Sequence, residues 1–148
     1  MKELVESALN DSLEQLIRAD GDILVMDVNE RTISHRLASY LEPHFQGWNV
    51  DCEYNRNHDD PKRLKIRRRN IQSDDTQATT VFPDIIVHHR GTNENFVVIE
   101  MKKTSSQESD GYDLAKLNAF KEQLGYQFAI FVKVRTGSQP AVEDVQWV

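Results

Sequence analysis

Apolar residues recur at spacings of three and four in three parts of the chain, and this periodicity predicts three helices. The first covers residues 2–18. The second begins after Asn29, a residue typical of N-caps, and ends at Gly47. The third covers residues 113–124 and ends at Gly125. The apolar stripes consist of Val5, Leu9, Leu13, Leu16 and Ile17, then Ile33, Leu37, Tyr40, Leu41, His44 and Phe45, and finally Leu114, Leu117, Phe120 and Leu124.

Five other stretches show the two-residue alternation or the β-branched runs that are typical of strands. They are residues 48–54, 81–89, 96–102, 126–134 and 142–148. Glycine and asparagine between the second and third stretches predict a hairpin, and the last stretch is an expected edge strand. From the second helix onward the order is helix, strand, strand, strand, helix, strand. This order indicates an α/β domain with a mixed central sheet flanked by helices.

Two charged residues lie at the end of the otherwise apolar third strand. Alternate strand residues share a face, so Glu100 and Lys102 are expected side by side. Phe96 and Val98 are expected on that same face. Charges are rare in such a place unless they serve each other or a ligand. Asp84 lies near the start of the preceding strand, which in an antiparallel hairpin lies beside the end of the next. Asp84 and Glu100 are therefore expected to converge.

Two converging carboxylates suit a hard divalent cation such as Mg²⁺, which prefers oxygen ligands. The backbone carbonyl of Met101 could supply a further oxygen ligand. A cation there can polarise a phosphate and lower the pKa of a bound water. Lys102 would position the attacking water, help to deprotonate it and offset developing negative charge. The simpler alternative is a structural ion pair between Glu100 and Lys102, with an unrelated Asp84 at a turn.

The motif Pro83-Asp84, followed after fifteen residues by Glu100-Met101-Lys102, resembles the PD-(D/E)xK nuclease superfamily. The predicted order of elements over about residues 29–135 also resembles the αβββαβ core of that superfamily, the restriction-endonuclease-like fold. An extra N-terminal helix would precede the core here. The resemblance implies Mg²⁺-dependent hydrolysis of phosphodiester bonds, with Mn²⁺ as a substitute, although some members of the superfamily only bind.

Two further residues match positions that are often functional in this superfamily. An acid is common in the first core helix, and Glu30 matches it, which implies a role through a second metal or a water. The simpler explanation is an acid at the positive end of a helix. A polar residue is common on the helix after the lysine strand. Lys116 matches that position and would contact phosphate, the alternative being a solvated surface lysine.

Charge is distributed unevenly along the 148 residues, whose net charge is −6. The segment from Arg56 to Arg69 carries seven basic residues against two acids. This excess of five positive charges leaves the rest of the chain at −11. The segment lies in an expected basic and polar loop over residues 56–80, which is either solvated or binds phosphates. The residues expected to bind nucleic acid here are Lys62, Arg63, Lys65, Arg67, Arg68 and Arg69.

The length and composition of the chain indicate the number of domains and the expected cellular location. The whole chain, residues 1–148, fits one domain. The lone Cys52 cannot form an internal disulfide, the first residues are acidic, and no apolar stretch approaches the ~20 residues that cross a bilayer. We expect a cytoplasmic protein without a membrane partner. The leading hypothesis is a nuclease acting on DNA, with specificity from a homodimer or a partner recognition subunit. The alternative is an inactive nuclease-fold module that binds nucleic acid or protein.

Overall fold

The computed structural model describes residues 1–54 and 81–148, and in the interval between them only the backbone of four short strands. The helices are α1 (Lys2–Ala19), α2 (Gly21–Val25), α3 (Glu30–Leu41) and α4 (Asp110–Leu124), with a 3₁₀ turn at Glu42–His44. The strands are β1 (Asn49–Cys52), β2 (Arg56–Asn57), β3 (Asp60–Pro61), β4 (Arg63–Ile66), β5 (Gln77–Thr80), β6 (Ile85–His88), β7 (Asn95–Lys103), β8 (Phe128–Arg135) and β9 (Ala141–Trp147).

Five of these strands form one mixed sheet in the order β1-β6-β7-β8-β9. β7 and β8 are parallel and are joined through α4, whereas the other neighbours are antiparallel. The sequence of α3, β1, β6, β7, α4 and β8 confirms the predicted order, and β9 confirms the edge strand. The interval predicted as a basic and polar loop contains two antiparallel pairs, β2–β3 and β4–β5.

Helices cover both faces of the sheet. On one face, Leu16 of α1 and Leu37 of α3 pack in a single apolar cluster with Ile99 of β7. On the other face, Phe120 of α4 packs with Val98 of the same strand. β7 is therefore held between two apolar layers. Burial of each such side chain contributes roughly 1.5–3 kcal/mol to folding stability. None of the helices within the described residues is long and apolar enough to cross a membrane.

The second predicted helix begins as expected and ends early. The side chain of Asn29 accepts a hydrogen bond from the backbone N–H of Thr32, at 2.8 Å, and confirms the N-cap. α3 then ends at Leu41 and gives way to the 3₁₀ turn, rather than continuing to Gly47. Pro43 explains the difference, because it has no N–H to donate to the carbonyl one turn earlier.

Phe96 does not lie on its expected strand face, and a second strand departs from regular alternation at Tyr54. Phe96 belongs to the apolar cluster with Ile99, not to the face of Val98, because the β6–β7 register shifts at this end of the hairpin. Tyr54 packs on the α4 side, because Glu53 has a φ of 51° and ends the alternation of β1. β6 is also shorter than the predicted strand over residues 81–89. Val81–Asp84 precede it as irregular backbone.

Candidate active site

The predicted pair of carboxylates meets at one end of the sheet. β6 begins at Ile85, which pairs with Ile99 of β7, so the preceding Asp84 lies beside Glu100. The carboxyl groups of Asp84 and Glu100 lie close enough to each other for each to shift the pKa of the other. Asp84 Oδ2 also accepts a hydrogen bond from the backbone N–H of Met101, at 2.8 Å. These contacts fix the first acid against the strand that carries the second.

Both carboxyl groups hold their protons more tightly than usual. Burial raises the pKa of Glu100 well above its ordinary value, and the charge of Asp84 adds to the effect. Burial also raises the pKa of Asp84, against the opposing effects of the neighbouring Glu100 and of the hydrogen bond from the Met101 N–H. Without a cation, the raised pKa of both groups favours a proton on the pair.

Lys102 does not pair with Glu100. Its side chain is 3% exposed, and its Nζ lies 2.6 Å from Asp113 Oδ2. Nζ also donates to the backbone carbonyl oxygens of Glu108 and Ser109, at 3.1 and 3.0 Å. The alternative prediction of an ion pair between Glu100 and Lys102 is therefore wrong. Lys102 instead contacts residues at the beginning of α4.

Lys116 of α4 takes the place beside Glu100. Its Nζ lies 3.0 Å from Glu100 Oε1 and donates to the backbone carbonyl oxygen of Phe82, at 2.7 Å. Although burial lowers its pKa, the charge of Glu100 and then that of Asp84 raise it overall. The lysine expected to contact phosphate is thus 11% exposed at its side chain and bound to an acid of the site.

Glu30 of α3 approaches from the opposite side of the sheet. Its Oε1 accepts a hydrogen bond from the backbone N–H of Lys103, at 3.2 Å, next to the predicted Lys102. Burial raises the pKa of Glu30, and the charges of Asp84 and Asp113 raise it further. The acid therefore belongs to the same electrostatic group as the pair on β6 and β7.

These side chains form what we call the acidic cluster, which consists of Glu30, Asp84, Glu100 and Asp113 together with Lys102 and Lys116. Four carboxylates face two ammonium groups, so the cluster has two negative charges in excess when every group is ionised. Proton uptake by the Asp84–Glu100 pair relieves part of this excess. A divalent cation would relieve it completely.

The donor set of the pair fits Mg²⁺, which proteins usually bind through one or two carboxylates while several waters remain on the ion. Asp84 and Glu100 would hold the cation, and the carbonyl of Met101 is the further oxygen at this point of β7. Within the described residues, no three His, Cys, Asp or Glu side chains are grouped as a ready-made metal site.

Most of the predicted nucleic-acid contacts cannot be placed. Lys62 and Arg67, Arg68 and Arg69 lie outside the described residues. Arg63 and Lys65 belong to β4, of which only the backbone is described, and this strand lies against α4. Part of the basic segment therefore runs along the helix that supplies Lys116.

Sequence reasoning missed Asp113 as a residue of the site. It lies three positions before Lys116 on α4, and residues at this spacing share a helix face. Once Lys116 had been selected, this spacing was a signal that could have identified the acid. The ion pair of Asp113 with Lys102 depends on how α4 packs across the sheet, which no local pattern encodes.

The chain matches no protein-family model, no curated protein and no solved structure at a significant level.

Proposed function

We propose that the protein is a divalent-metal-dependent nuclease of the PD-(D/E)xK type, which hydrolyses phosphodiester bonds in DNA. The observation that carries the proposal is the contact between Asp84 and Glu100 at the end of a buried sheet, with Lys102 two residues further along β7. The pair has too much negative charge for its surroundings, and this excess suits a divalent cation.

The architecture supports the same proposal. The motif residues lie at adjacent strand ends of a mixed sheet, and α4 follows the lysine strand. This is the order of elements on which the resemblance to the restriction-endonuclease-like fold rests. Perturbed carboxylates that meet in one place are also more common at functional sites than elsewhere in a protein.

Each residue has a defined part in the proposed reaction. Asp84, Glu100 and the Met101 carbonyl would hold Mg²⁺ or Mn²⁺, which when bound polarises the scissile phosphate and acidifies a water. Lys102 would orient that water and offset negative charge at the phosphorus. Glu30, whose pKa is raised by burial, could accept a proton or hold a second water.

To reach Lys102 and Lys116, a substrate must replace some of the contacts that hold these two side chains. Lys102 is bound by Asp113 and by two carbonyl oxygens of the chain, and Lys116 by Glu100 and another carbonyl oxygen. A cation on the Asp84–Glu100 pair would weaken the attraction between Glu100 and Lys116. That change would free the ammonium group of Lys116 for a phosphate.

The same closed arrangement favours a second candidate, a nuclease-fold module that binds without cleaving. With Glu100 at 2% side-chain exposure and both lysines bound internally, the cluster can also be a purely structural network. Such a module would bind nucleic acid or a protein partner through other surfaces and would need no cation at Asp84.

A cleavage assay separates these candidates. Supercoiled plasmid, linear duplex, single strand and a four-way junction are incubated with Mg²⁺ or Mn²⁺, with Asp84→Ala and Lys102→Ala alongside. A nuclease cleaves at least one substrate only with the cation, and both variants lose cleavage. Folded wild-type protein that cleaves none of them would favour the binding module, and full activity in either variant would overturn the assigned roles.

A further inference from the structure

Two large aromatic side chains are exposed beside the acidic cluster. The side chain of Phe82 is 54% exposed and that of Tyr112 is 39% exposed. Phe82 lies two residues before Asp84, and Tyr112 directly precedes Asp113. Aromatic rings contribute much to stability when they are buried, so exposed rings at this place call for a binding partner.

Both aromatic residues are connected to the same lysine. The backbone carbonyl of Phe82 accepts a hydrogen bond from Lys116 Nζ, at 2.7 Å. Tyr112 lies one helical turn before Lys116 on α4, so the two side chains share a face of that helix. Since Lys116 Nζ is 3.0 Å from Glu100 Oε1, both residues are near neighbours of the proposed reaction centre.

The surroundings indicate what covers these rings. The acidic cluster repels acidic partners unless a cation is bound. The backbone of β4 lies against α4, and because the sequence of β4 is basic we expect phosphates to bind on this side of α4. A partner that presents phosphates to a basic strand and flat apolar faces to two rings is a nucleic acid with accessible bases. Bases inside a duplex are already stacked, so the accessible bases are unpaired.

We propose that Phe82 and Tyr112 form a stacking surface for unpaired nucleobases, so that the substrate contains a single-stranded segment at or next to the cleaved bond. This inference rests on the proposed nuclease function and adds the substrate class to it. The stacking requires no base-specific hydrogen bond, and recognition through it is tolerant of sequence.

The test measures binding and cleavage separately. A fluorescein-labelled single strand and the blunt duplex of the same sequence are titrated in Mg²⁺ with protein that carries Lys102→Ala, which should bind the cation without cleaving. Phe82→Leu and Tyr112→Leu keep apolar bulk but remove the ring face, and each should weaken single-strand binding about tenfold. Duplex binding should weaken much less. Tyr112→Phe, which keeps the ring, should restore single-strand affinity.

Leu4→Ala is the matched control, because Leu4 is 55% exposed on α1 and belongs to neither the acidic cluster nor the aromatic surface. It should leave single-strand binding unchanged. Thermal unfolding of each variant confirms that it is folded. Equal losses on single strand and duplex, or no loss in either leucine variant, would overturn the stacking surface.

The same substitutions, in protein that keeps Lys102, are then assayed for cleavage with Mg²⁺. If duplex and single strand are cleaved equally and neither leucine variant is impaired, the nuclease proposal stands and the stacking surface is overturned. If nothing is cleaved but single-strand binding still depends on both rings, the stacking surface stands and the nuclease proposal fails. A protein-docking role for the rings predicts no effect on either nucleic acid, which also overturns the inference.

Discussion

The two ends of β6 carry ionisable groups in opposite electrostatic states. Before the strand, Asp84 meets Glu100 in the acidic cluster, and burial raises the pKa of both groups. At the other end, His88 Nε2 lies 2.7 Å from Asp51 Oδ2 on β1, and Arg90 Nε donates to the same oxygen at 2.9 Å. We call Asp51, His88 and Arg90 the Asp51 cluster.

Burial acts in the same direction at both ends, yet the results differ in sign. It raises the pKa of Asp51 too, but the hydrogen bonds from Arg90 and His88 outweigh it and lower the pKa overall. Asp51 has two basic partners for one carboxylate. In the acidic cluster, carboxylates outnumber ammonium groups by two. The balance of nearby charge, not burial, therefore decides whether an acid of this sheet is stabilised as an anion.

This difference is the reason why we propose a structural role for the Asp51 cluster and a functional role for the acidic cluster. The Asp51 cluster satisfies its own charges and ties β1 to β6. The acidic cluster is left short of positive charge within the fold, which is the condition that a cation site requires. Natural proteins depart from local stability rules mainly at functional sites, and the acidic cluster is such a departure.

The largest expected effect is on cleavage by Glu100→Gln. The substitution keeps the shape of the side chain but removes a negative oxygen from the proposed cation site, so we expect cleavage to fall by at least about 100-fold. Plasmid cleavage at saturating Mg²⁺ measures the effect. Glu143→Gln is the control, because Glu143 pairs with Arg135 on β8 and β9, away from the cluster, and should leave cleavage unchanged. Retention of more than a small part of the activity would remove Glu100 from the site.

The next largest effect is a loss of folding stability on substitution in the Asp51 cluster. Asp51→Asn removes the charge that Arg90 and His88 share, and we expect it to lower the free energy of unfolding by about 2 kcal/mol. Urea denaturation at neutral pH measures the change. The variant should still cleave once its lower stability is taken into account. A neutral effect on stability would mean that Asp51 is not stabilised as an anion.

The smallest effect is a gain in folding stability, and it tests the acidic cluster. Asp84→Asn keeps an oxygen that can accept from the Met101 N–H and removes one of two neighbouring negative charges. Without divalent cations at neutral pH, we expect the free energy of unfolding to rise by about 1 kcal/mol, because a repulsion between two buried like charges is removed. Urea denaturation in EDTA measures the gain. A loss of stability similar to that of Asp51→Asn would contradict the proposed contrast.

The pH dependence of that gain follows from the sign of the shifts. Because the pKa of Asp84 is raised in the folded protein, ionisation disfavours folding as pH rises from about 4 through the folded pKa. The gain from Asp84→Asn should therefore be largest at neutral pH and vanish near pH 4. For Asp51, whose folded pKa is lowered, the stabilisation is present above about pH 4 and is lost as pH falls through the folded pKa.

The sheet and the pair of acids were accessible to sequence reasoning because their patterns are local. The run from Phe128 to Val134 and the stripe of Leu117 and Phe120 predict β8 and the packed face of α4 correctly. The antiparallel hairpin predicts that Asp84 meets Glu100. Such alternation fails where the backbone departs from ideal geometry, and it failed at the register shift beside Phe96.

The partners of Lys102 and Lys116 could not be predicted from local sequence patterns. Neither lysine has the partner expected of it, because α4 brings Asp113 to Lys102 and places Lys116 against Glu100. The crossing of a helix over a sheet depends on the shapes of many apolar side chains, and charge spacing along the chain carries no record of it. Lys116 could be selected from its helix face, but its partner could not.

Calorimetric titration with Mg²⁺ at neutral pH tests the central claim most directly, with wild-type protein, Asp84→Asn and Asp51→Asn compared after a check that each is folded. The account predicts saturable binding by the wild type, with release of protons from the Asp84–Glu100 pair, and the same binding by Asp51→Asn. It predicts no saturable binding by Asp84→Asn. Absence of binding by the wild type, or binding that persists in Asp84→Asn, would contradict the assignment of the acidic cluster as a cation site.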